Sequence, residues 1–218
     1  MDQDSVPREP TRLMLVIEMG DGALQRLEAA CGVAEISSAV IRPIAGVAFD
    51  AGAVRGLVTA GQSKGVAVLI EGDARLARTL KADGVHVPVS DDGAGAYGEA
   101  REIVGSGSIV GIDVGRSRHD AMTAGEDGAD FIGFGIPAFV KDRDASAARR
   151  LELVAWWAEI FEVPCVAFDV DTIEDARDLA EAGADFIAVT ASAGTSPAAV
   201  ADRVRAFADA LRDPETAG

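Results

Sequence analysis

The chain has 218 residues, 49% hydrophobic and 26% charged, with a formal net charge of -16. That length suits a single α/β domain, and the composition can fill a core and still clothe the surface with charge. So acidic a surface repels phosphodiester backbones and anionic lipid, which argues against nucleic-acid and membrane partners. Only 5% of residues are aromatic, so the core must come mainly from Val, Ile, Leu and Ala, the mix of parallel strands buried on both faces. The two cysteines, Cys31 and Cys165, belong to no Cys/His cluster, so neither a disulfide scaffold nor a zinc site is expected.

In chain order, Met1 to Pro10 carries early charge and two prolines without an apolar run, and residues 1–11 read as a flexible tail rather than a signal peptide. Short apolar runs then alternate with longer helical stretches. The expected strands are 13–18, 36–42, 66–70, 84–87, 109–113, 131–134, 165–168 and 186–190, most of them rich in β-branched residues. Between them lie amphipathic segments such as Asp73 to Lys81 and Ile173 to Glu181. Ser196 followed by Pro197 marks the start of the last helix, and residues 213–218 read as a second tail. Cys165, inside the apolar run Val163 to Phe168, reads as a buried small side chain.

One junction recurs. Lys81-Ala82-Asp83-Gly84-Val85-His86, Glu126-Asp127-Gly128-Ala129-Asp130-Phe131-Ile132 and Glu181-Ala182-Gly183-Ala184-Asp185-Phe186-Ile187 each lead from a helix into a strand. Gly128 and Gly183 can take the left-handed conformation that closes a helix. Repeated βα units without an interrupting domain favour a closed (β/α)8 TIM barrel over residues 12–212. The repeat speaks of fold, not of function.

In such barrels functional groups sit at the C-terminal ends of strands. Those ends carry Glu18, Arg42, Glu71 with Asp73, His86 with Asp91 and Asp92, Asp113, Lys141, Asp169, and Thr190 with Ser192. Any one could be a solvated loop residue; together they mark one rim. The loop Thr190 to Pro197, with Ser192 and Gly194, is small, hydroxylated and opens a helix, so its N–H groups can hold a phosphate. Asp169-Val170-Asp171 instead places charge and bulk where an anion would want bare backbone. His86 reads as a hydrogen-bonded packing residue at the base of the mouth, with general base as the other reading.

The phrases Leu69-Ile70, Ala82-Asp83-Gly84-Val85-His86-Val87, Gly111-Ile112-Asp113, Gly128 to Pro137, Pro164 to Phe168 and Ala182 to Val189, in this order and spacing, resemble the thiamine-phosphate synthase and TenI family. The likeness runs from Met14 to about Leu211. It implies a transferase that joins a pyrimidine diphosphate to a thiazole phosphate with Mg2+, taking small-molecule thiamine precursors, in an assembly that a homodimer would satisfy; with no signal-like segment and no apolar stretch of membrane length, a cytoplasmic location is the expectation. On that resemblance Arg42 and Lys141 grip phosphate, and Asp91 with Glu71 or Asp73 holds Mg2+. Thr190, Ser192 and Gly194 take the thiazole phosphate, and Asp113, Asp169 and His86 line the substrate. The diphosphate site is substituted. An Asn-Asp pair has become Glu71-Gly72, a serine Asp113, paired glycines Asp169-Val170, and a glutamine Val89. The neighbourhood of a tautomerase histidine holds Ile136. These changes leave a second reading open, a catalytically idle barrel that binds a thiamine-related ligand or a protein partner.

Overall fold

The computed structural model describes residues 9–90, 92–136 and 140–212. Within them eight parallel strands close in chain order into a barrel, β1 pairing with both β2 and β8. The strands are β1 Arg12–Glu18, β2 Ser38–Arg42, β3 Ala67–Glu71, β4 Gly84–Val87, β5 Ile109–Asp113, β6 Phe131–Phe134, β7 Cys165–Ala167 and β8 Phe186–Ala191. The helices are α1 Ala23–Cys31, α2 Ala51–Ser63, α3 Ala74–Leu80, α4 Gly93–Val104, α5 Arg118–Glu126, α6 Arg143–Ile160, α7 Ile173–Ala182 and α8 Pro197–Arg212. The (β/α)8 expectation therefore holds, and strand ends differ from the sequence reading by at most two residues. Ile36, for example, is buried in the lead-in to β2, but the ladder begins only where Ser38 meets Met14. Of the expected tails, 1–11 and 213–218, residues 1–8 and 213–218 lie outside the described residues.

Alternation along each strand sorts the side chains into two apolar clusters. Leu13, Leu15 and Ile17 of β1 face the helices, where they join Leu27, Leu57, Leu153 and Phe207. Met14 and Val16 face inward and meet Val40, Leu69, Phe131, Val166, Phe168 and Ala188 inside the barrel. Glycines make room for the rings in that interior. A Cβ on Gly111 would stand 2.1 Å from the Phe131 ring, and one on Gly133 would stand 2.8 Å from the Phe168 ring.

The repeated junction has a structural task beyond punctuation. Asp83, Asp130 and Asp185 each turn a carboxylate back onto the neighbouring strand, accepting from Val68 N at 2.7 Å, Val110 N at 2.7 Å and Cys165 N at 2.8 Å. Gly128 and Gly183 take positive φ of 86° and 104°, as the helix-closing role requires. In the first copy Lys81 does this itself, with φ 57°. At the far end Ser196 caps α8 by accepting from Ala199 N at 3.2 Å. Cys165 is fully buried in β7.

Candidate functional site

Continuing the inward alternation by one step places Glu18 above Val16, Arg42 above Val40, Glu71 above Leu69 and Asp113 above Gly111. These four residues form the last interior layer at the C-terminal end of the barrel. Arg42 donates its Nε–H to Glu71 Oε2 at 2.9 Å, and Glu71 is nearly buried. Burial holds the Glu71 carboxyl above its ordinary range, an effect that Arg42 only partly offsets and that Asp169 and Glu18 reinforce. His86 lies one layer deeper at 1% exposure, stacked on Phe168 at 4.7 Å and Phe131 at 5.9 Å, with Nε2 3.9 Å from Glu71 Oε2. Burial, with Arg42 nearby, drives its pKa down to about 3, so the ring is neutral at physiological pH. Its Nδ1 has no hydrogen-bond partner among the described residues. The expected hydrogen-bonded packing role is thus only half met: the packing is there, and Nδ1 is unbonded.

Asp113 is 8% exposed and uses one oxygen for two backbone donors. Its Oδ1 accepts from Gly115 N at 2.8 Å and Gly135 N at 3.1 Å. Burial, opposed by these N–H groups and helped by Asp169, pushes its carboxyl up to about 7. Asp169 follows β7 with φ 56°, the left-handed conformation that a glycine adopts without strain. Its Oδ2 accepts from Ile136 N at 2.9 Å. Arg150, wholly buried on α6, fixes this loop by donating to the carbonyls of Phe168 and Asp169 while pairing with Asp175. Sequence reasoning missed Arg150, because a helical arginine carries no signal until its partners are known. It also missed Gly135, over which the oxygens of Asp113 and Asp169 converge.

The remaining site expectations divide. Thr190, the penultimate residue of β8, pairs with Val16 and is half-buried, while Ser192 and Gly194 are exposed in the loop that follows. In that loop Ala193 N already donates to Glu18 Oε2 at 3.0 Å. Lys141 is exposed in the β6–α6 connection and has no ion pair among the described residues. Asp73 is the N-cap of α3, its Oδ1 accepting from Leu76 N at 2.8 Å, and it lines a groove of about 280 Å3 toward α4. Asp73 follows β3 by two residues, and one of its oxygens is committed to the helix terminus. Asp91 lies outside the described residues. No group of three or more His, Cys, Asp or Glu among the described residues is arranged to hold a metal ion. Of the other two candidates for magnesium, Glu71 is engaged by Arg42 and Asp73 uses one oxygen to cap α3.

The fold and rim define a (β/α)8 barrel with its polar groups gathered at the C-terminal mouth. Residues 50–193 match the family model described as thiamine monophosphate synthase, and the chain belongs to that family. It is 36% identical over 217 residues to thiamine-phosphate synthase from Hyphomonas neptunium (strain ATCC 15444), covering 95% of this chain and 96% of that one. It is 40% identical over 148 residues to thiamine-phosphate synthase from Erythrobacter litoralis (strain HTCC2594), covering 67% of each. Its fold matches thiamine phosphate pyrophosphorylase from Pyrococcus furiosus with a TM-score of 0.73 at 20% identity, over 93% of this chain and 96% of that one. No helix among the described residues is long and apolar enough to cross a membrane.

Proposed function

We propose that this chain is a thiamine-phosphate synthase-like transferase, joining a pyrimidine diphosphate to a thiazole phosphate, with a substituted diphosphate site. The observation that carries this reading is kinship with synthases over nearly the whole chain. In the mouth, Arg42 supplies a fixed guanidinium for a phosphate oxygen, and Lys141 can swing in from the β6–α6 loop. The Thr190 to Gly194 loop at the start of α8 is offered to the thiazole phosphate. Loss of diphosphate leaves a pyrimidine cation, and the carboxylates of Glu71, Asp113 and Asp169 lie where such a charge would be stabilised.

A second reading, a barrel that binds a thiamine precursor without turnover, is favoured by one observation: the chain's own carboxylates occupy N–H groups along the rim. Purified protein with both substrates and Mg2+, beside the Hyphomonas neptunium synthase as control, tests the first reading. Formation of thiamine phosphate supports it. No product from this chain while the control turns over, with calorimetric binding of either precursor, transfers the case to the second.

A further inference from the structure

Four backbone N–H groups lie in three connections at the C-terminal end of the barrel: Gly115 after β5, Gly135 and Ile136 after β6, and Ala193 after β8. Each donates to a carboxylate of the chain itself, at 2.8, 3.1, 2.9 and 3.0 Å respectively. Backbone donors at strand ends and helix starts are what an anionic ligand uses in a barrel of this kind. We propose that Glu18, Asp113 and Asp169 are specificity residues acting as built-in anions: they occupy the rim N–H groups that a phosphate oxygen needs, so a phosphate binds there only by displacing a side chain of the protein.

The three are not equally displaceable. Glu18 reaches Ala193 across an exposed loop contact and has rotamers that swing it away. Asp113 is buried and held by two donors, and Asp169 is set by a loop that Arg150 clamps through two carbonyls. The β8 loop is therefore the sector that yields to a phosphate, and the β5–β7 sector is closed to one. The second oxygen of Asp113 has no hydrogen-bond partner among the described residues and lies above Gly135 beside Asp169 Oδ2. Once Asp113 is ionised, above about pH 7, what that sector offers a ligand is an acceptor, suited to an N–H, a hydroxyl or a cationic ring.

Binding of inorganic diphosphate at pH 8, followed by calorimetry without metal, tests this and needs no turnover, so it stands or falls apart from the transferase reading. The Asp113→Ser, Asp169→Gly double variant should bind diphosphate at least about tenfold more tightly than the unaltered protein, the factor for roughly one competing hydrogen bond with charge removed. The Asp113→Asn, Asp169→Asn pair removes the same charge, but its amide oxygens still accept from the N–H groups, so its gain should be clearly smaller. Equal gains in both variants would mean that charge alone excludes the anion, and would overturn the occupancy argument. A folded Ser/Gly variant with no gain would overturn it as well. Should that variant fail to fold, Glu18→Ala with inorganic phosphate decides: tighter binding upholds the proposal, and unchanged binding overturns it.

Discussion

Arg42 and Glu71, on neighbouring strands β2 and β3, are joined by a single 2.9 Å Nε–H to Oε2 bond that neutralises two of the charges in the last interior layer. The Arg42 side chain keeps 24% of its exposure and Glu71 10%. Removing the cation would strand a nearly buried carboxylate. Arg42→Ala should therefore lower stability by roughly 1–3 kcal/mol, less than for a fully buried pair because Arg42 is partly hydrated. Glu71→Gln should cost less and leave Arg42 free for a ligand anion. Urea denaturation at pH 7 measures the first effect, and diphosphate calorimetry the second.

The Asp113 carboxyl gives stability a pH dependence of unusual sign. Its pKa is about 7 in the folded protein against 3.8 for an unperturbed aspartate, chiefly through burial, so the folded chain holds a proton that the unfolded chain releases between those values. Stability contributed by this group is therefore full below about pH 4 and is lost as pH rises through 7. Asp113→Asn removes the dependence. The variant should be more stable than the parent by about 1–3 kcal/mol at pH 8 and equal to it near pH 4. His86 acts in the opposite direction, since its pKa of about 3 makes stability fall as pH drops below 6.5. Both proteins carry His86, so the difference between them isolates Asp113. Thermal melts at the two pH values give the answer, and a constant offset would contradict the assignment.

Gly135 is required by what lies over it. An added Cβ would stand 2.4 Å from Asp113 Oδ2 and 3.0 Å from Asp169 Oδ2. Gly135→Ala should cost about 1–3 kcal/mol by forcing the carboxylates aside. In an Asp113→Ser background the same substitution should cost markedly less, a coupling that a double-mutant cycle by chemical denaturation reads directly.

The repeated aspartates offer a test of fold rather than site. Asp83→Ala, Asp130→Ala and Asp185→Ala each leave a strand N–H without its acceptor. Each should destabilise by about 1–3 kcal/mol, and the effects should add because the three junctions are separate.

How much of this is legible in the sequence depends on whether the determining physics is local. Strand and helix periods, the Ser196 cap and the glycines at 128 and 183 are local features, and the barrel follows from repeating them. Alternation alone puts Glu18, Arg42, Glu71 and Asp113 on the inward face, because each lies two residues beyond an inward neighbour. Their gathering at one mouth follows from strand period and barrel closure together.

The partners within that mouth are not legible in the chain, because they pair residues far apart along it. Glu18 meets the backbone of Ala193 across the seam between β1 and β8, and Asp169 meets Ile136 and Arg150 across three elements. Asp73 reads from the sequence like a rim ligand, yet capping α3 claims one of its oxygens. Asp169 reads like the loss of a glycine, yet the loop keeps the glycine conformation with φ 56° and turns the new carboxylate onto an N–H. Sequence determined which chemical groups reach the mouth, since strand period and burial are set residue by residue. Only the closed barrel decided which donor each carboxylate would take, since that depends on strands and loops brought together by closure.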